Sequence, residues 1–472
     1  MRSHEVDVAV VGAAIVGIAT AYYLAVQHGR SRIAIVDIGQ PMALTSARSG
    51  ENYRNWWPHL TMTDFTDHSI SLMEDIARSS KNRIHMTRRG YLLCTREANP
   101  DALLRQLYVG YGPAAEGAIR IHVAKGTGSY QPPHSAEWDL APSGVDVLCN
   151  RDLIRQHYPY LDPQIATIFH VRRAGDISGQ QLGQYMLEQI RALGGRLRQA
   201  RVAAIAASDR FALDLITDEE REVLRCDIVV NAAGPFAGEV SALHGETLPI
   251  VNVLQQKIAF VDRLAAVPRQ LPFTVDLDGQ AIAWTREERE VLAGDPSISR
   301  FVRPMPGNIH CRPDGAERGQ WIKLGWSYNT NATTPSREPA LDPHFPEIVV
   351  RATSRMLPRL KSYIGSMPRE RSHYGGYYAM TRENWPLIGP SRTPGVFLAT
   401  ALSGYGTMAA CAAGDLCARS IAGAALPVFA KSLSIERYLD QALMLQLESG
   451  KSRGLLYRER AAAWKIPQHL KK

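Results

Sequence analysis

A strand, a glycine turn, a helix and a second strand occupy the first 38 residues. Residues 6–11 read as a buried strand, residues 13–28 as a helix ending before Gly29, and residues 32–38 as a second buried strand. The turn is Gly12-Ala13-Ala14-Ile15-Val16-Gly17, a variant of G-x-G-x-x-G with Ala14 at the middle glycine. Gly12 permits the tight turn, and Gly17 lets the helix lie close on the strand. The free N–H groups at the helix start, with the helix dipole behind them, face a pyrophosphate. The methyl of Ala14 is tolerated if that phosphate sits slightly farther out. Asp37 follows Gly17 by twenty residues, where an acid accepts from an adenosine ribose hydroxyl. The pattern specifies a dinucleotide-binding α/β unit and does not choose between FAD and NAD.

The same stretch has a second reading. Residues 8–26 carry no charge, enough to resemble a membrane span, and Ala19-Thr20-Ala21 resembles a signal-peptidase site. Glu5 and Asp7 stand where a signal peptide carries positive charge, and the two glycines are spaced for a fold element. A cytoplasmic enzyme is therefore expected.

With 472 residues, 45% hydrophobic and 21% charged, the chain has material for two or three domains and none of the bias of disordered, collagenous or coiled-coil sequences. Its net charge of +8 is concentrated at one end. Residues 451–472 hold Lys451, Arg453, Arg458, Arg460, Lys465, Lys471 and Lys472 against the single acid Glu459. This is a basic tail, not a groove for nucleic acid. The six cysteines are scattered without a Cys-x-x-Cys pair, as expected of buried thiols in a reducing compartment. His310 and Cys311 are adjacent, but no metal-ligand set converges on them by spacing, so no metal is expected.

Further along, Thr45, Ser46, Arg48, Ser49, Gly50 and Glu51 form a loop rich in small hydroxyls and charge, suited to phosphate and a flat ring, and Trp56-Trp57 follow it. Residues 66–79 read as helix and 90–95 as strand. Residues 110–144 read as an irregular crossing between domains. A helix over 178–193 has an apolar stripe of Leu182, Met186, Leu187, Ile190 and Leu193. Strands are expected at 197–206, which includes Val202, and at 211–217. The strand at 226–231 runs into Ala232-Ala233-Gly234-Pro235, bringing backbone close to the far edge of a dinucleotide site. Residues 246–369 alternate like antiparallel sheet. A strand at 396–400 leads into Ser403-Gly404-Tyr405-Gly406-Thr407-Met408 and a helix of small residues, whose N-terminus carries about half a positive charge.

Taken in this order, the motifs resemble the D-amino-acid-oxidase-like FAD-dependent oxidoreductase family, nearest its sarcosine oxidase branch. The resemblance runs from Val6 to about Pro427 and includes Ser49-Gly50, the stretch from Val229 to Pro235, that from Thr381 to Gly389, and Ser403 to Gly406. It implies an α/β fold: a Rossmann-type FAD-binding domain built from discontinuous segments, plus an α+β substrate domain with a large mixed sheet. The division expected is 1–90, 146–245 and 370–430 for FAD, 91–145 and 246–369 for substrate, and a basic helical tail at 431–472. The cofactor set is Gly12, Ala14, Ile15, Gly17, Asp37, Thr45, Ser46, Arg48, Ser49, Gly50, Glu51, Val202, Ala233, Gly234, Gly404, Tyr405, Gly406, Thr407 and Met408.

The family chemistry implied is transfer of a hydride from the carbon beside an amine nitrogen to the flavin, giving an imine and, with dioxygen as acceptor, hydrogen peroxide. Trp321-Ile322-Lys323-Leu324-Gly325-Trp326 resembles the sarcosine oxidase strand whose lysine promotes dioxygen reduction, which makes Lys323 the expected catalytic cation. The sequence departs from its relatives at the substrate. Met408 stands where sarcosine oxidases have a carboxylate-binding lysine, and Tyr378 where glycine and D-amino-acid oxidases have an arginine. Either Arg54 holds the carboxylate or the substrate lacks one. His373, Tyr374, Tyr377, Tyr378, Trp56 and Trp57 are expected to line a pocket for a bulky or aromatic amine. Gly376 stands near the flavin-linking cysteine position, so FAD is expected to be non-covalent. The alternatives are a dehydrogenase using another electron carrier and a non-catalytic flavin-binding assembly protein. The tail, with Leu455, Leu456 and Trp464, is expected to pack on its own body, with a neighbouring subunit or a membrane surface as alternatives.

Overall fold

The computed structural model describes residues 2–123, 130–133, 138–139, 141–218, 220–315 and 318–448. The basic part of the tail, residues 451–472, lies outside the described residues. The rest of the tail region forms two short 3-10 segments, Val428–Leu433 and Ile435–Leu439, and the helix Gln441–Glu448.

Short runs of Val, Ile and Ala at both ends of the sequence make strands buried on both faces, as parallel sheets require. They join in one six-stranded sheet in the order Arg196–Gln199, Ile33–Asp37, Val8–Val11, Ile228–Asn231, Val396–Thr400 and Leu387–Pro390. The first five run parallel and the last antiparallel. The helix Ile15–His28 ends at Gly29, which takes the left-handed conformation at φ 63. It crosses the small-residue helix Gly406–Ala422 at close range. A Cβ on Gly414 would lie 2.6 Å from the Ala19 carbonyl carbon, so only glycine fits this crossing.

At Ala200 the chain leaves this sheet for a four-stranded one ordered Arg2–Glu5, Arg221–Cys226, Phe211–Ile216 and Arg201–Ala207. The expected single strand over 197–206 is thus two strands serving different sheets. The helix expected at 178–193 is Gly179–Ala192, capped by Ser178, whose hydroxyl accepts from the Gln181 N–H. The helix expected at 66–79 begins earlier, at Leu60. The stretch read as an irregular crossing contains the one-turn helix Ala115–Ala118 and the strand Ile119–His122.

The third layer is a nine-stranded mixed sheet. Its order is Arg371–Met380, Val251–Val261, Trp321–Trp326, Ile309–Asp314, Phe273–Asp276, Tyr91–Thr95, Thr167–Val171, Val145–Leu148 and Ile119–His122. Three of these strands, at 145–148, 167–171 and 371–380, fall in segments that the sequence division gave to the cofactor domain. Their ladders join them to this sheet: Thr167–Val171 pairs with Tyr91–Thr95, and Arg371–Met380 pairs along ten residues with Val251–Val261. A two-stranded ribbon, Asn52–Arg54 with Ala174–Asp176, adjoins the loop that follows the dinucleotide unit. Among the described residues no helix is long and apolar enough to cross a membrane.

Candidate active site

The glycine turn forms as its sequence requires. Gly12 has φ +114, and a Cβ there would collide with the Ala232 carbonyl. A Cβ on Gly17 would collide with the Gly12 carbonyl, so Gly17 lies beneath the turn and not on the cavity surface. The helix begins at Ala14 without a side-chain cap. Asp37 reaches back to it: Oδ2 accepts from the Ala13 N–H at 2.8 Å and Oδ1 from the Gly39 N–H at 2.8 Å. Each oxygen keeps a lone pair for a further donor. Ser46 Oγ accepts from the Ile15 N–H at 3.1 Å, pinning the following loop over the helix start.

These groups open on a cavity of about 440 Å³. Of the cofactor residues expected from sequence, Gly12, Ala14, Ile15, Asp37, Thr45, Ser46, Arg48, Ser49, Gly50, Val202, Ala233, Gly234, Gly404, Gly406 and Thr407 line it. The Gly404 backbone lies so close to the Tyr378 ring that a Cβ could not be accommodated. Thr407 Oγ1 donates to Ser49 Oγ at 2.8 Å, tying the start of the second, likewise uncapped helix to the loop.

Glu51, Tyr405 and Met408 instead line an adjoining cavity of about 80 Å³. The two cavities share Ser49, Gly50, Lys257, Tyr378, Ser403, Gly404 and Thr407. Arg54 is on the wall of the smaller one and only 6% exposed. Its Nε donates to the Trp56 carbonyl at 3.0 Å, its backbone N–H points at Met408 Sδ at 3.1 Å, and its guanidinium lies 5.1 Å from the Trp57 ring centre. Nη2 has no partner, and no carboxylate pairs with Arg54 among the described residues. Burial lowers its pKa, the signature of a desolvated cation.

A second buried arginine makes the contrast. Arg312, 5% exposed, lies 3.0 Å from Asp314, 3.5 Å from Glu51 and 3.8 Å from Asp176. Burial pulls its pKa down, but the three carboxylates outweigh it and the net shift is upward. Lys323 belongs to this network, 3.1 Å from Glu51 and 3.2 Å from Asp314, and lines neither cavity. His373 also lies apart, hydrogen-bonded to Gln256 at 2.9 Å and stacked on Phe345. Tyr378 is on the shared wall, its hydroxyl 3.1 Å from Ser327 Oγ. Of the other expected pocket residues, Trp57 lines the smaller cavity and Tyr377 the larger, while Trp56 packs against Gly110 and Tyr374 reaches neither.

Sequence reasoning missed Lys257, which lines both cavities and donates to the Arg48 carbonyl at 3.2 Å. Its signal is a lysine within the otherwise uncharged strand Val251–Val261. His310, Tyr91, Leu93, Phe273 and Val275 were also missed as cavity residues. The His310 Nδ1–H donates to the Asn308 carbonyl at 3.2 Å; burial, followed by the Lys257 charge, holds its pKa down to about 4. All six cysteines are free, and none lines either cavity.

Comparison with known proteins agrees with this architecture. The family model for FAD dependent oxidoreductases matches residues 7–420. No curated protein sequence matches the chain. Among solved structures, glycine oxidase from Geobacillus kaustophilus is 16% identical with a TM-score of 0.68, over 92% of this chain and 99% of that one. L-proline dehydrogenase from P. horikoshii is 14% identical with a TM-score of 0.68, over 93% and 99%. L-amino acid deaminase from Proteus myxofaciens is 14% identical with a TM-score of 0.64, over 92% and 94%. At these identities the likeness is one of fold. The residues present fit FAD: the larger cavity offers an uncapped helix start, a carboxylate beside it and a wall of close backbone. The chain belongs to the FAD-dependent oxidoreductase family.

Proposed function

We propose that this FAD-dependent oxidoreductase oxidises a C–N bond of an amino acid, with dioxygen as the electron acceptor. The observation that carries the reading is the buried guanidinium of Arg54 on the smaller cavity, whose Nη2 has no hydrogen-bond partner and with which no carboxylate pairs among the described residues. A desolvated cation without a counter-ion is costly, and a carboxylate, which takes two parallel N–H donors, is the group that offsets it. A substrate carboxylate on Arg54 is therefore favoured over a substrate lacking one. The names of glycine oxidase and L-amino acid deaminase, which share the fold, accord with an amino-acid substrate.

Bound FAD supplies the acceptor for the hydride on the carbon beside nitrogen, so that amino acid and dioxygen become imino acid and hydrogen peroxide, water then hydrolysing the imine. The protein's own groups bind, orient and polarise. Arg54 fixes the carboxylate, and Trp57 and Tyr91 beside its guanidinium keep water out. The Tyr378–Ser327 hydrogen bond holds the tyrosine at the boundary between the cavities. Lys257 supports the cationic role expected of Lys323, because its charge is at the shared wall whereas that of Lys323 is matched by Glu51 and Asp314. A fixed charge where dioxygen gains its first electron lowers the barrier to the anion. With no cysteine on either cavity, FAD is held without a thioether link.

The test is rapid mixing of the FAD-loaded enzyme, first with amino acids without oxygen and then with oxygen. Substrate should bleach the yellow colour, and air should restore it with release of peroxide. Lys257→Met should slow reoxidation about 100-fold while altering reduction only a few-fold. Equal slowing of both half-reactions, or a larger effect from Lys323→Met, rejects the assignment of Lys257. Restoration of colour only by a quinone or dye, without peroxide, rejects dioxygen.

A further inference from the structure

One cross-strand row of the nine-stranded sheet runs Leu93, Val275, His310, Gly325, Lys257, each paired in register with the next. Four inter-strand steps of about 4.8 Å separate its ends, roughly 19 Å in all. Along this line the chemistry changes steadily. Leu93 and Val275 are apolar, His310 is an uncharged polar group, Gly325 has no side chain, and Lys257 is cationic. The His310 ring fills the space over Gly325, where a Cβ would strike its Nε2. Only Lys257 of the row faces the larger cavity; Leu93, Val275, His310 and Lys257 all line the smaller one. The substrate thus lies between a charged end at the cofactor and an apolar end away from it.

We infer that the substrate is an α-amino acid with an apolar side chain, seated on Leu93, Val275 and Phe273. The inference rests on Arg54 holding the carboxylate, as proposed above. Its further ground is that a charged side chain has no partner left. The one acid on the smaller cavity is Glu51, whose oxygens are taken by Lys323 at 3.1 Å and the Gly179 N–H at 3.0 Å. A basic side chain therefore meets a carboxylate already neutralised. An acidic side chain at the Leu93 end finds no free cation, because Arg54 beside Tyr91 is taken by the α-carboxylate, Lys257 is at the opposite end of the row and His310 is neutral at pH 7. A carbonyl can only accept, so the bond to Asn308 places the His310 proton on Nδ1 and leaves Nε2 as an acceptor. Removing a charge from water into such a wall is strongly unfavourable. An apolar side chain gains from the same burial.

The experiment uses the full-length, FAD-loaded enzyme in two arms. In the first, both enantiomers of leucine, methionine, phenylalanine, aspartate, glutamate and lysine are tested for anaerobic bleaching. The apolar set should exceed the charged set in kcat/KM by about 100-fold or more, and Leu93→Ala should shift the phenylalanine-to-leucine ratio about tenfold toward phenylalanine. In the second arm, isovalerate and succinate, which lack an amine, are titrated against the oxidised enzyme and read as perturbation of the flavin spectrum. Isovalerate should bind and succinate should not. If isovalerate alone binds while no amino acid bleaches the flavin, the apolar seat stands and the oxidation reading fails. Bleaching by aspartate or lysine as readily as by leucine leaves oxidation standing and overturns the apolar seat. An unchanged preference in Leu93→Ala, or binding of neither carboxylate, also overturns it.

Discussion

The two adjoining cavities are built by different means. The larger is walled mostly by main chain and small side chains: Gly12, Ala13, Ala14, Ala232, Ala233, Gly234, Gly404 and Gly406 bring backbone to its surface. The smaller is walled by large side chains from widely separated stretches, including Arg54, Tyr91, Phe273, His310 and Tyr378. A backbone cleft recognises what every dinucleotide has, a pyrophosphate and a ribose. A side-chain pocket recognises one class of molecule. The first is therefore sensitive to a single methyl, whereas the second can be altered one side chain at a time.

The sharpest way to break this contrast is at Gly12. Gly12→Val puts a branched side chain where even a Cβ collides with Ala232, at a backbone angle that glycine tolerates and valine does not. The purified variant should be colourless, and FAD titration should recover less than about 1% of the affinity. Retention of stoichiometric yellow colour would show that the cleft is not backbone-built.

Next in size is a comparison of the two buried arginines. Arg54→Met should lower kcat/KM for an amino acid on the order of 1000-fold, since it removes one half of a buried charge pair, yet leave FAD content and melting temperature unchanged or higher. Arg312→Met should do the reverse to the fold. It abandons Asp314, Glu51 and Asp176, at a cost of about 3–5 kcal/mol visible in denaturant unfolding. If both variants destabilise alike, Arg54 has a partner in the folded chain and the pocket is not a carboxylate site.

The smallest effect concerns pH. Unfolded, the His310 imidazole takes a proton near its ordinary 6.5; folded, it does so only at about 4. Between these values the unfolded chain binds more protons, so stability is full above about pH 6.5 and is lost as pH falls toward 4. The loss is on the order of 3 kcal/mol. His170, held down to about 3 by burial, changes in the same direction, so the readout is the difference between wild type and His310→Gln. Melting temperatures over this window should fall less steeply in the variant. Parallel curves would mean that His310 is charged in the pocket.

The same contrast explains what could be read without coordinates. Gly12, Gly17 and Asp37 act through local backbone geometry, which spacing conveys, as it does for Gly404, Gly406 and Thr407 on the larger cavity, whereas Tyr405 lines the smaller one. Trp56 and Trp57 are neighbours in sequence, yet only Trp57 reaches the smaller cavity, while Trp56 packs against Gly110 of a distant helix. Lys323 and Lys257 are on adjacent strands, Lys257 opposite Gly325 and Lys323 opposite Ala259. Two residues of register separate them, and Asp314 and Glu51 claim the lysine that the motif favoured. Strand pairing and the position of an acid from another segment set where each lysine lies, and neither is encoded locally. The ladders of Thr167–Val171 and Arg371–Met380 were hidden for the same reason, since their partners at Tyr91–Thr95 and Val251–Val261 lie more than seventy residues away in the chain.

The Val396–Thr400 strand inserts beside Ile228–Asn231, and the helix after it presses on the first helix of the chain at Gly414. The amino-terminal nucleotide unit therefore waits for nearly the whole polypeptide before its neighbours arrive. During synthesis, some four hundred residues must leave the ribosome before the coenzyme cleft is complete, and until then the apolar edges of the unit stand exposed to aggregation.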